Sequence, residues 1–188
     1  MPTHVALLRG INVGGRNRVA MANLREVVAS LACTDVATYI QSGNVVFTSP
    51  TTDTTAIAEA LERAIAESLG VRPRVVVLSC DELSQVVASN PYPDETNNKC
   101  LHVAFTSEQI ERDQLATIAA AAQRATNKGS RDEATVVGRA LFLHTPDGLG
   151  RSELAAQLGR AGGPLAAAGS ATVRNWATVT KLLAMCRA

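Results

Sequence analysis

The same order of hydrophobic periodicities runs through this chain twice, and that order limits what it can fold into. His4 to Asn12 holds the apolar run Val5, Ala6, Leu7 and Leu8 before Gly10, Gly14 and Gly15, which predicts a buried strand entering a glycine turn. Ala22 to Ala32 places Leu24, Val27, Val28 and Leu31 on one helical face. Val36 to Ile40 and Asn44 to Thr48 are short β-rich runs around Gln41, Ser42 and Gly43, the mark of an antiparallel hairpin in which Gly43 supplies a positive φ. Thr54 to Leu69 repeats Ile57, Leu61, Ile65 and Leu69 in helical register and ends at Gly70, a C-cap residue. Arg74 to Leu78 closes the series as a strand. Strand, helix, strand, strand, helix, strand is the order of the split βαβ, or ferredoxin-like, unit.

A helix over Asp81 to Ala88 leads into Asn90-Pro91-Tyr92-Pro93, a rigid break. The order then recurs, without clear residue identity. Leu101 to Thr106 reads as a strand, and Glu108 to Ala122 as a helix capped by Ser107. Ala134 to Val137 and Leu141 to His144 form a hairpin turning at Gly138-Arg139, and Ser152 to Leu158 is a helix. Gly162 to Gly169 is rich in glycine and alanine. The last segment, Thr172 to Cys186, reads as a helix with Trp176, Val179 and Leu183 on one side and Arg174, Thr178 and Lys181 on the other. The expected fold is α+β, with two successive ferredoxin-like (βαββαβ-type) halves, helices on antiparallel sheets and a C-terminal helix. The divisions are residues 1–80 and 81–188. One continuous sheet would fill the same pattern.

Composition narrows the function classes. With 18 basic and 17 acidic side chains the net charge of +1 gives no global attraction to nucleic acid or anionic lipid. The basic residues nevertheless gather at the two ends: Arg9, Arg16, Arg18 and Arg25 precede the first carboxylate, and Arg151, Arg160, Arg174, Lys181 and Arg187 face Glu153 alone. Cys33, Cys80, Cys100 and Cys186 are far apart in sequence and form no CxxC pair, so neither a metal site nor a structural disulfide is expected. The opening residues have no basic segment followed by a long apolar core, and no run reaches the length of a membrane span. Cytoplasmic residence without membrane contact is the expectation.

Gly10-Ile-Asn-Val-Gly-Gly15-Arg16-Asn17 follows a strand and carries both glycines of a phosphate loop. Arg16 and Asn17 stand where that loop needs a lysine and a magnesium-binding hydroxyl, and Arg18-Val19-Ala20 delays the helix. Asn12 likewise occupies a position where GxGxxG requires glycine. What remains is a loop of arginines and asparagines whose guanidinium forks and backbone N–H groups suit phosphate or carboxylate; the plainer alternative is a solvated turn. Ser152 is read as a helix N-cap, with neighbouring N–H groups as a possible anion contact. His4, His102 and His144 lie in strands without a carboxylate-rich partner set, and no GxSxG elbow or HExxH helix occurs.

Four ordered stretches carry a resemblance: Leu7-Leu-Arg-Gly-Ile-Asn-Val-Gly-Gly15, Tyr39-Ile-Gln-Ser-Gly-Asn-Val-Val-Phe47, Gly148-Leu-Gly-Arg-Ser152 and Arg174-Asn-Trp-Ala-Thr-Val-Thr-Lys-Leu182. With these the chain resembles, over nearly its whole length, the bacterial family catalogued as domain of unknown function 1697. The resemblance implies a two-part α+β fold and no established activity. Ala20 departs from the proline usual before the methionine, and Ala177 from the asparagine usual after the tryptophan.

Taken with the charge distribution, these motifs yield a candidate ligand set: Arg9, Asn12, Arg16, Asn17, Gln41, Ser42 and Asn44 from the first half, and Arg151, Ser152, Arg174, Asn175 and Lys181 from the end. The expected ligand is an anionic small molecule or nucleic acid held in a basic cleft between the halves, with arginine gripping the anion and amides setting its orientation. No cofactor or metal is expected, catalysis is left open, and so is oligomeric state. The alternative is a structural or protein-interaction module in which the same motifs hold the halves together.

Overall fold

The computed structural model describes residues 1–160 and 171–188, so the stretch Gly162 to Gly169 lies outside the described residues. The chain forms two compact units, Met1–Gln85 with Thr180–Ala188, and Val86–Val179. Relative to the expected division after residue 80, the first unit runs five residues further and also takes in the end of the chain.

The first unit contains β1 (His4–Arg9), α1 (Met21–Ser30), β2 (Thr34–Tyr39), β3 (Asn44–Thr48), α2 (Thr54–Leu69), β4 (Arg74–Ser79) and most of α3 (Cys80–Ala88). Its sheet has the order β2-β3-β1-β4 with every pairing antiparallel. Period-2 alternation gives the sheet two apolar faces. On one, Ala6, Leu8, Val45, Phe47, Val75 and Val77 pack with Leu24, Val28, Ile57, Leu61 and Ile65 of the helices. On the other, Val5, Leu7, Val46, Val76 and Leu78 are also buried. Helix α2 matches its predicted bounds because local signals agree: the Asp53 carboxylate accepts from the N–H groups of Thr55 and Ala56, and Gly70 closes the helix at φ 66°.

The second unit contains β5 (Leu101–Phe105), α4 (Arg112–Asn127), β6 (Glu133–Val137), β7 (Ala140–His144), a 3-10 turn (Leu149–Arg151), α5 (Glu153–Leu158), β8 (Thr172–Asn175) and the start of α6 (Trp176–Cys186). Its antiparallel sheet has the order β6-β7-β5-β8. Ala104, Leu141 and Leu143 pack with Ile118, Ala121, Ala125, Leu154 and Leu158. Two similar α+β halves, each with its own sheet, replace the alternative of one continuous sheet.

Register makes the likeness exact at the residue level. His4-Val5-Ala6 opens β1 and His102-Val103-Ala104 lies in β5; His4 faces Phe47 on one neighbour and Ser79 on the other, and His102 faces Leu143 and Asn175. The amide of Leu8 donates to Gly43 O at 2.8 Å, and the amide of Thr106, two residues after Ala104 as Leu8 is after Ala6, donates to Arg139 O at 3.0 Å. A shared His-Val-Ala in the same place is the residue identity that the sequence reading did not find.

Three expectations are corrected. Thr172 to Asn175 is a strand paired with β5, so the terminal helix begins at Trp176. Helix α4 begins at Arg112, with the Glu111 amide donating to Gln114 Oε1, rather than at Glu108. Cys80 and Cys186 form a disulfide with Cα atoms 5.9 Å apart, within bridging range, whereas Cys33 and Cys100 are free and buried. Separation along the chain did not mean separation in space.

Candidate functional site

In the first unit the stretch 10–20, which joins β1 to α1, lies against the hairpin tip 40–43. Asn12 makes the joint. Its side-chain N–H groups donate to Val19 O at 2.9 Å and to Gln41 O at 2.8 Å, while its Oδ1 accepts from the Val19 amide at 2.9 Å. The Asn12 amide donates to Asn17 O at 3.0 Å, and the Asn17 side chain donates to Gly10 O at 3.0 Å. Ile11 is buried beneath the loop. Asn44 is fully buried, donating to Tyr39 O at 3.1 Å and to Ser42 Oγ at 2.9 Å. Gly43 sits at φ 75°, and a Cβ there would come within 2.8 Å of both Leu8 Cβ and Ile11 Cδ1, so the hairpin tip can close on the strand end only with glycine.

The candidate residues of the first half are therefore brought together, in two kinds. Asn12, Asn17 and Asn44 spend their amides on the loop itself and fix its shape. Arg9, Arg16, Gln41 and Ser42 are exposed, as is Arg18 beside them. The side chains of Arg16 and Arg18 make no hydrogen bond or ion pair with described residues. Two large apolar side chains that the sequence reading passed over are chain neighbours of the Asn12 and Gln41 pair: Val13 is 67% exposed and Ile40 51% exposed. Apolar residues inside polar loop segments were the signal that would have found them. The stretches 9–20 and 39–44 contain no carboxylate, imidazole or thiol; their polar side chains are guanidinium, carboxamide, hydroxyl and phenol groups.

Three candidates of the second unit, Arg174, Ser152 and Asn175, have internal roles. Arg174 is 9% exposed; its guanidinium donates to Thr172 Oγ1 at 2.6 Å and Val173 O at 2.9 Å, and burial pulls its pKa down to about 10. Together with the burial of Thr178, this corrects the expected exposed basic stripe. Ser152 caps α5 as predicted, accepting from the Ala155 amide at 2.8 Å, and it donates to Asp132 Oδ2 at 2.9 Å. Asn175 Oδ1 accepts from the Thr178 amide at 2.9 Å, capping α6. Arg151 is exposed on the 3-10 turn, and Lys181 is exposed in the part of α6 that belongs to the first unit.

One histidine differs from expectation. His144 Nε2 lies 2.9 Å from Glu95 Oε2, Tyr92 stacks on the imidazole at 4.9 Å between ring centroids, and the Tyr92 hydroxyl bonds Thr135 Oγ1 at 2.9 Å. The hydrogen bond from His144 holds the Glu95 carboxyl below the usual carboxylate range. Among the described residues no group of three or more His, Cys, Asp and Glu side chains is placed to hold a metal ion, and no helix is long and apolar enough to cross a membrane.

The model of a family described as protein of unknown function (DUF1697) matches residues 1–142. The solved structure of a conserved bacterial protein from Streptococcus pneumoniae is similar to this one with a TM-score of 0.73 at 24% sequence identity, covering 98% of each chain. At that identity the likeness concerns the fold. No curated protein matches the chain.

Proposed function

This chain belongs to the DUF1697 family of proteins of unknown function, and from its own residues we propose that it binds an anionic ligand, a nucleotide, phosphorylated metabolite or nucleic-acid segment, on the arginine-bearing loop of its first half. The observation that carries this reading is the contrast within the 10–20 loop: the Asn12 and Asn17 side chains bond its backbone at Val19 and Gly10 and tie it to Gln41 O, while Arg16 and Arg18 stay exposed. A loop fixed before the ligand arrives loses less conformational freedom on binding, and guanidinium groups match phosphate in geometry and charge. Arg9 and Gln41, also exposed, complete the set. We read each half as a ferredoxin-like unit, the first bearing this site at one end of its sheet, and we read the bacterial cytoplasm as its setting, which cell fractionation checks.

Titration with inorganic pyrophosphate tests the proposal. Binding is expected to weaken as salt rises, and Arg16→Ala and Arg18→Ala are each expected to lower affinity about tenfold while leaving the melting temperature unchanged. An affinity indifferent to both substitutions would remove the reading. The motifs of the second half support the architectural alternative for that half: the Arg174 bonds to Thr172 and Val173 favour it specifically.

A further inference from the structure

Two observations on the first-half loop are left over by simple anion binding. Ile40 adopts φ 48°, a left-handed conformation in which a β-branched side chain is a true outlier, and it does so with 51% of its surface exposed. Val13 is 67% exposed in the same loop assembly, and the two residues adjoin the Asn12 and Gln41 pair that locks the loop to the hairpin tip. Ile40 thus combines a left-handed backbone with an apolar side chain left half open to solvent. Asparagine or glycine would take the same backbone at lower cost, and strain of this kind collects where a ligand uses the side chain.

The second half supplies an internal control. There the corresponding stretch, 106–111, is about half as long, and the arginine at the hairpin tip turns inward: Arg139 Nη1 donates to Ser107 O at 2.8 Å, and the Arg139 carbonyl accepts from the Thr106 amide and hydroxyl. The same strand order is achieved without a long loop, outward arginines or exposed aliphatics. The extra residues of the first half are therefore not required by the topology.

Resting on the anion-binding reading, we infer that the ligand is a nucleoside phosphate: its base lies against Val13 and Ile40, its phosphate meets Arg16 and Arg18, and Gln41 is available to the base edge. A bare phosphate or sugar phosphate has no flat apolar face to cover two aliphatic side chains, whereas a base has one, and a carboxamide offers the donor and acceptor pair that base edges match. The chemistry is shared by free nucleotides and by single-stranded nucleic acid.

The test is a calorimetric titration of the full chain with inorganic pyrophosphate, with AMP, with a ten-nucleotide single strand and with phosphatidylserine vesicles, on the native protein, Val13→Ser and Ile40→Asn. AMP or the oligonucleotide is expected to bind about tenfold or more tightly than pyrophosphate, and both substitutions are expected to erase that advantage while pyrophosphate binding is kept. Ile40→Asn is also expected to raise the melting temperature by a few degrees, because asparagine tolerates the left-handed backbone. Gain of stability with loss of base-dependent affinity is a signature that a packing role for Ile40 would not produce. Tight AMP binding marks a free nucleotide as the source, and binding of the oligonucleotide alone marks a strand. Pyrophosphate binding with no preference for AMP or the oligonucleotide overturns the inference and leaves the anion reading standing. Absence of all binding, or binding to vesicles alone, overturns both.

Discussion

The corner where the first strand leaves its sheet is built twice in this molecule. In the first half it carries a long exposed loop fastened by Asn12, with Gly43 closing the hairpin tip beneath it. In the second half the Thr106 amide and hydroxyl donate to Arg139 O and the Arg139 guanidinium donates to Ser107 O, closing the corner. Equal strand order with unequal corners separates what the topology demands from what has been added to it. Both halves need the amide-to-carbonyl bond from the strand end to the hairpin tip; only one has a loop shaped to leave arginines and aliphatic side chains in solvent.

The covalent tie sharpens that contrast most. Cys80 and Cys186 both belong to the first unit, and the second unit has no disulfide among its described residues. Bonds closing loops this long act largely on the unfolded chain. Cys80→Ser is expected to cost about 4 kcal/mol, read as a lower guanidinium midpoint that matches the native protein under reductant. Equal midpoints with and without reductant would break the contrast.

The two hairpin glycines give the next largest effect. Gly43→Ala combines a left-handed alanine with a clash against Leu8 and Ile11, and is expected to cost about 3 kcal/mol. Gly138 has φ 59° but open space around the position of a Cβ, so Gly138→Ala is expected to cost about 1 kcal/mol. Denaturant unfolding of both variants distinguishes a packed corner from a merely bent one.

The smallest effect concerns the paired histidines. Burial lowers the pKa of both His4 and His102, and for His4 the carboxylate of Glu82 partly offsets it. An unfolded histidine takes a proton near pH 6.5, and the folded one resists it until lower pH. Stability is therefore fully present above about pH 6.5 and declines as pH falls through the interval between the unfolded and folded values. The His102 Nδ1 atom is buried without a hydrogen-bond partner among the described residues, whereas His4 Nδ1 lies 2.7 Å from Thr3 Oγ1. His102→Gln is expected to flatten the dependence of melting temperature on pH more than His4→Gln does.

Legibility followed the range of the interaction. Helix α2 could be read to the residue because its cap, its apolar stripe and its terminal glycine all lie within the segment. The Ser152 cap was legible for the same reason. Strand β8 was not, because four residues, Thr172 to Asn175, become a strand only through pairing with β5, and a helical wheel accepts them equally well. That mistake carried Arg174 to an exposed face when its guanidinium is buried against its own strand. The loop and hairpin-tip residues fall in one candidate set on residue type and charge, yet the Asn12 to Gln41 contact that joins them spans 29 positions and leaves no periodic trace. The Glu95 to His144 contact and the Cys80 to Cys186 bond were out of reach for the same reason.

The Cys80 to Cys186 bond turns the intervening polypeptide into a ring, and all of Val86–Val179 lies on that ring. A protease cutting once anywhere between the two cysteines opens the ring but releases nothing. The nicked protein keeps its mass on a gel run without reductant and falls into two pieces only when the sulfur bridge is broken.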